Sequence, residues 1–195
     1  MNKSKTQYRD GPETARLLHR AMEPRDAPEF FRLNSHPEVM RLTGDIPLGS
    51  VADARQAILN YADFDEVGYG RWACILKSSQ AMIGFCGLKY LPEFDEVDVG
   101  YRLFPEFWGR GLATEACVAS LKFGFETLQL DRIIGLAMPE NRASIRVLQK
   151  SGMVIDGEVE TEGVLAVRYS ITRNRFLAIP TLGLSPEVRN RPPDG

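Results

Sequence analysis

The chain has 195 residues, 44% hydrophobic and 26% charged, the size and balance of a globular domain long enough to bury a sizeable core. Its formal net charge is −2, which argues against a general nucleic-acid binder, because such proteins carry a basic excess. No apolar run is long enough to span a bilayer, and Met1–Arg9 is polar and lacks the apolar core of a secretion signal, so no membrane partner and a cytoplasmic location are expected.

Taken in chain order, Ala15–Met22 reads as a short strand, and Pro24-Arg25-Asp26 starts a helix with Phe30, Phe31 and Leu33 as apolar contacts. His36–Met40 begins a further helical turn. Ser50 caps a helix whose Ala54, Ile58, Leu59 and Tyr61 suggest one buried face. Arg71–Leu76 and Met82–Leu88 are strands, joined as a hairpin by the polar Lys77-Ser78-Ser79-Gln80. Glu96–Leu103 alternates polar and apolar residues, as a strand with one covered face does, and Pro105 ends it. Leu112–Leu128 is the longest helical pattern, with Ala113, Cys117, Leu121, Phe125 and Leu128 on one stripe. Arg132–Met138 is a strand, Asn141–Lys150 a helix closed by Gly152, and Met153–Glu160 and Leu165–Thr172 are two final strands. The order predicts an α/β fold with helices packed on a central sheet, one domain over residues 1–180, and a flexible tail over 181–195.

Cys74, Cys86 and Cys117 lack metal-ligand spacing and sit in apolar or helical patterns, so buried reduced thiols are expected. With only His19 and His36 besides, no metal site is expected.

The segment Tyr101–Ala116 carries the chemistry. A strand ends at a proline, a loop with Gly109 and Gly111 follows, and a long helix begins. Glycines let a backbone approach a ligand closely. The first helical turn offers unpaired N–H groups and a partial positive charge. Together they suit a phosphate or pyrophosphate, with Arg110 adding a charge at the lip. The plain alternative is a glycine loop that only turns the chain. The dinucleotide and P-loop glycine patterns are absent.

This segment resembles the acyl-CoA loop of the GNAT superfamily of N-acetyltransferases, whose signature is Gln/Arg-x-x-Gly-x-Gly/Ala. Gly111 and Ala113 match its last two fixed positions, and Trp108 stands at the first. Trp-Gly-x-Gly-x-Ala-Thr-Glu-Ala is similar to the ribosomal-protein alanine N-acetyltransferase branch. So are Pro139-Glu140-Asn141-Arg142-Ala143-Ser144 followed by Lys150-Ser151-Gly152-Met153, and, near the start, Glu13–Leu18 and His36–Met40. The resemblance covers roughly residues 11–176.

The resemblance implies a mostly antiparallel sheet with helices on both faces. It implies acetyl-CoA as co-substrate and a primary amine as acceptor, either a protein N-terminus or a small molecule. The strand before the loop splays from its neighbour, and the pantetheine arm lies in the gap against the backbone of Tyr101 and Leu103. Trp108, Gly109, Arg110, Gly111, Leu112, Ala113 and Thr114 are then the pyrophosphate loop. Asn141 is a cofactor contact, a helix cap, or both. Ser144 is the candidate acid toward the departing thiolate, because no tyrosine stands in its helix. Glu96 and Asp98 share one strand face and are candidate bases; the plain alternative is two solvated charges on an edge. Trp72, Phe85 and Tyr90 either shape an acceptor pocket or pack the core, and Arg16, Arg20, Arg41 and Arg71 are scattered candidates to meet an acidic acceptor. A homodimer is common in the superfamily. The rival readings are a non-catalytic acyl-CoA sensor and an unrelated phosphate-binding α/β protein.

Overall fold

The computed structural model describes residues 7–161 and 163–180; the tail expected over 181–195 lies outside the described residues. The strands are β1 (Leu17–Arg20), β2 (Arg71–Leu76), β3 (Ala81–Leu91), β4 (Glu96–Leu103), β5 (Arg132–Ala137), β6 (Val154–Thr161) and β7 (Val164–Thr172). The helices are α1 (Ala27–Asn34), α2 (Pro37–Met40), α3 (Val51–Leu59), α4 (Asp63–Glu66), α5 (Leu112–Glu126), α6 (Arg142–Lys150) and α7 (Arg173–Ala178). The strands form one sheet in the order β1-β2-β3-β4-β5-β7-β6, antiparallel except between β4 and β5.

Strand alternation sorts the side chains onto two faces. Trp72, Leu88, Val97 and Val99 pack with Cys117, Leu121 and Phe125 of α5 in the largest core cluster. On the opposite face Ala73 and Phe85 meet Phe30 and Leu33 of α1. The mixed sheet with helices on both faces is therefore as expected. Burial of the α5 stripe holds that helix on the sheet; α5 itself stops at Glu126, short of the expected Leu128, as Thr127 caps it and Gln129 turns left-handed.

The strand that matters most is β4. It matches β3 at eight consecutive positions, from Gly84↔Leu103 to Leu91↔Glu96, yet meets β5 at a single pair, Asp98↔Ile134. Beyond Asp98 the two strands diverge, so Val99–Leu103 has a neighbour on one side only. The alternation expected for Glu96–Leu103 is present, but helices cover both faces, and the polar position Asp98 is buried at 4% exposure.

Two further features differ from expectation. In α3 only Ala54 is fully buried; Leu59 lies in the last turn and is 56% exposed. The short helices α4 and α7 carry no long apolar period and were not anticipated. Tyr90 is partly buried and packs against the main core cluster, as expected, while its hydroxyl donates to Asp95. The three thiols are free and buried as expected, and burial pushes the Cys86 thiol up to about 12, which keeps it protonated and inert. Among the described residues no helix is long and apolar enough to cross a membrane, and no cluster of metal-ligating side chains occurs.

Phe125 is 1% exposed and packs against Phe176 at a ring separation of 5.2 Å. Phe125→Ala is expected to cost about 3–5 kcal/mol through lost burial and a residual cavity. Urea unfolding reads this as a lower midpoint at unchanged slope.

Candidate active site

The divergence of β4 from β5 opens a groove of about 310 Å³. One wall is β4 at Tyr101–Leu103, one is the loop and first turn of α5, and one is α6. Opposed residues of an antiparallel pair alternate between exchanging and not exchanging hydrogen bonds. The Phe104 N–H donates to the Ile83 carbonyl, so Phe104 and Arg102 bond toward β3. The backbone groups of Tyr101 and Leu103 therefore point into the groove. The Leu103 carbonyl is already taken: the Trp108 indole N–H donates to it at 2.7 Å. That leaves the Leu103 N–H and both Tyr101 groups facing the opening.

Gly109 and Gly111 both adopt left-handed backbone, φ 69° and 74°, which side chains disfavour. Their turn reverses the chain out of the Trp108 bend and aims the start of α5 at the groove. The first bond inside α5 is Glu115 N–H to the Gly111 carbonyl, so the N–H groups of Leu112, Ala113 and Thr114 have no helical partner. The lining contains Arg102, Arg146 and Lys150 and no carboxylate. Arg146 and Lys150 stand four residues apart on one face of α6, a basic stripe that their spacing in the sequence already displays.

At the far end of the groove the Tyr101 hydroxyl lies 2.9 Å from both the carbonyl and the Oγ of Ser144. The carbonyl only accepts, so the tyrosine proton goes there, and Ser144 Oγ–H donates to the tyrosine oxygen. Burial raises the Tyr101 phenol well above its usual range, followed by repulsion from the Cys117 side, so it stays neutral. Asn141 caps α6 through Oδ1, which accepts from the Ser144 N–H at 3.0 Å, and its Nδ2 donates to the Leu42 carbonyl. The capping role is thus present, and the same side chain ties α6 to the loop after α2.

A second cavity, about 220 Å³, lies on the other face of β4 beneath α1 and α3. Its sheet side carries Arg71, Phe85, Lys89 and Arg102. Arg102 borders both cavities. It is held by Asn34 and Asp45, and it lies over the Phe85 ring at 5.4 Å. The Arg71 guanidinium reaches across Gly100 to Asp98 at 2.5 Å. A Cβ at Gly100 would fall 2.3 Å from the Arg71 Cζ, so only glycine permits this crossing.

Residues 16–154 match the acetyltransferase (GNAT) domain family. The chain belongs to the GNAT acetyltransferase family. It is 35% identical over 152 residues to the uncharacterised N-acetyltransferase p20 of Bacillus licheniformis, covering 74% of this chain and 85% of that one. A GNAT-family acetyltransferase structure from Bacillus anthracis superposes with a TM-score of 0.71 at 26% identity, covering 84% of this chain and 98% of that one. The ribosomal-protein-S5-alanine acetyltransferase structure from Vibrio fischeri shares the fold at a TM-score of 0.68 and 19% identity, over 83% of this chain and 96% of that one. The protein is thus a GNAT-type acyl-CoA N-acyltransferase, of the class that acetylates amines from acetyl-CoA.

In this GNAT enzyme the expected loop residues Trp108, Gly109, Gly111, Leu112, Ala113 and Thr114 line the groove together with Tyr101, Leu103, Asn141 and Ser144. Arg110 does not. Its guanidinium lies over the Phe107 ring at 5.5 Å, and the cations that line the groove are Arg102 and, from α6, Arg146 and Lys150. The candidate bases Glu96 and Asp98 line neither cavity. They are not solvated edge charges, since β4 is an interior strand. Glu96 pairs with Arg132. Asp98 accepts from Arg71 and from the Leu136 backbone, while its burial raises the carboxyl. Of the scattered arginines, Arg71 reaches a cavity; Arg16 pairs with Glu115, Arg20 with Asp26, and Arg41 is exposed and lines neither cavity. Trp72 is core and Phe85 lines the second cavity.

Glu115, in the first turn of α5, ties the loop to the segment before β1. It accepts from the Thr14 hydroxyl at 2.6 Å, from the Arg16 backbone and from the Arg16 guanidinium. Burial raises its carboxyl, but these bonds together outweigh burial and hold it below the usual value of 4.5. A depressed folded pKa means that this contribution to stability is complete above the unfolded value and lost as pH falls through the folded one. Wild type should therefore lose stability on acidification below about pH 4.5 more steeply than Glu115→Gln, as read by denaturation midpoints across pH.

Proposed function

We propose that acetyl-CoA lies in the β4–β5 groove and that a primary amine reaches the thioester from the second cavity, with direct transfer in a ternary complex. The observation that carries this reading is the run of unspent backbone groups on Tyr101 and Leu103 leading to the free N–H groups of Leu112, Ala113 and Thr114. An extended amide-bearing arm pairs with the first set as an added strand would. Its pyrophosphate meets the second set and the cations Arg146 and Lys150. Gly109 and Gly111 hold the turn that delivers them, and Asn141 keeps the mouth of α6 in place. Arg110 has no assigned contact.

In the step itself the amine nitrogen bonds to the thioester carbon, and the carbon–sulfur bond then breaks. The nitrogen sheds a proton to solvent and the thiolate takes one from Ser144, which is replenished through Tyr101 and solvent. A thiolate is a competent leaving group near neutrality, since a thiol's pKa is only about 8.5, so the acid assists without being indispensable. No base is assigned to Glu96 or Asp98, neither of which lines either cavity. Holding amine and thioester together supplies much of the rate.

Calorimetric titration tests the placement. Acetyl-CoA is expected to bind with micromolar affinity and ADP much more weakly, because only the former fills the strand-like part of the groove. Ala113→Glu places a carboxylate in the anion cradle and should weaken acetyl-CoA by more than about 10-fold with the melting temperature retained. Unaltered affinity in that variant would put the site elsewhere.

Ser144→Ala is expected to lower kcat about 10-fold while leaving the acetyl-CoA KM near wild type, since the hydroxyl acts only as charge develops on sulfur. A fall confined to KM would show that Ser144 binds rather than protonates.

A further inference from the structure

The charge around the second cavity is unevenly paired. Four cations line it, Arg9, Arg71, Lys89 and Arg102, against one carboxylate, Asp45. Arg9 pairs with Asp65, Arg71 with Asp98, and Arg102 with Asp45. Lys89 makes no ion pair within 4.0 Å among the described residues. It stands directly opposite Asp98 in the β3–β4 register, but that carboxylate is bonded by Arg71. The Arg71 Nε–H is buried and has no hydrogen-bond partner. Asp45 and Asp98 are thus both held by arginines, whereas Lys89, which only feels the Asp98 charge from a distance, has no direct ion pair and the Arg71 Nε–H has no hydrogen-bond partner.

A buried donor without a partner is destabilising, a cost that an incoming oxyanion removes. A bare cationic amine would find no free carboxylate in the cavity lining, where Asp45 is held by Arg102, and would stand near Lys89. The apolar wall from Phe30, Ile58 and Phe85 and the volume of about 220 Å³ suit a fragment of amino-acid size. Building on the proposed function, which brings the acceptor through this cavity, we infer that the acceptor is a small amine carrying a carboxylate, an α-amino acid or short peptide rather than a polyamine. Lys89 and the Arg71 Nε–H bind its carboxylate, which leaves the nitrogen directed toward Arg102 and the groove. Lys89 is a specificity residue in this scheme and takes no part in the transfer.

The test uses amino acids and dipeptides, each as the free acid and as its C-terminal amide, with a polyamine alongside. CoA release reports turnover. Calorimetry reports binding of the corresponding N-acetylated acids and amides, which occupy the cavity as products without needing reaction. The free acids should exceed their amides by about 10-fold or more in kcat/KM, and the N-acetylated acids should bind correspondingly tighter. Lys89→Gln should abolish that preference and Lys89→Arg retain it, both with unchanged acetyl-CoA affinity. Equal use of acids and amides, preference for the polyamine, absence of binding by every N-acetylated acid, or a Lys89→Gln variant that keeps the preference would overturn the inference. Loss of acetyl-CoA binding in the wild type would instead strike at the proposed function, and the acid-against-amide binding would still decide the carboxylate question.

Discussion

The structure turns on the single point at which β4 stops pairing with β5. Two neighbouring parallel strands ordinarily share a ladder, and each backbone group left without a partner in the interior is costly. Here the ladder ends at Asp98↔Ile134, and the Asp98 carboxylate accepts from the Leu136 backbone, a donor of the diverging strand. Arg71 balances its charge from the other side. Burying an ion pair carries a desolvation penalty that its attraction only partly offsets. Position 98 therefore carries a cost that an apolar residue would avoid, in return for a donor satisfied at the fork.

From that fork the two cavities follow. On one side the open edge of β4 faces α5 and α6, and the groove is cationic without a carboxylate. On the other side Arg102 of the same strand joins Phe30 of α1 and Ile58 of α3 around the second cavity. Gly100 links the two, because its missing side chain is what lets Arg71 cross β4 to the fork. The strand is thus both partition and scaffold: its backbone serves one cavity, and its Arg102 side chain borders both.

Rigidity around the groove comes from contacts remote in sequence. Glu115 fastens the start of α5 to Thr14 and Arg16, about a hundred positions earlier. Asn141 fastens α6 to Leu42, and Tyr101 fastens it to β4. Each bond joins a different element to the groove's rim, so the loop geometry does not depend on the glycines alone. Preorganised N–H groups lose little on meeting an anion, which is the physical value of such ties.

Much of this was written in the sequence. The period of α5, the turn chemistry of Gly109 and Gly111, and the capping chemistry of Asn141 are local properties, set by residues within a few positions of one another. They sufficed for the α/β layers and for the loop's place at a helix start. The two motifs then pointed to the superfamily. Tertiary structure decided what depends on distant partners. Arg110 lies in the motif but turns onto Phe107, while Arg146 and Lys150 of α6 line the groove. Asp98 alternates like a solvated residue, but its neighbours are set by sheet order, which no local period encodes. The Tyr101 hydroxyl and Ser144 are 43 positions apart, and only the packing of α6 against β4 brings them together. Local chemistry fixes which groups a segment can offer; the register of strands and the docking of helices fix which of those groups meet.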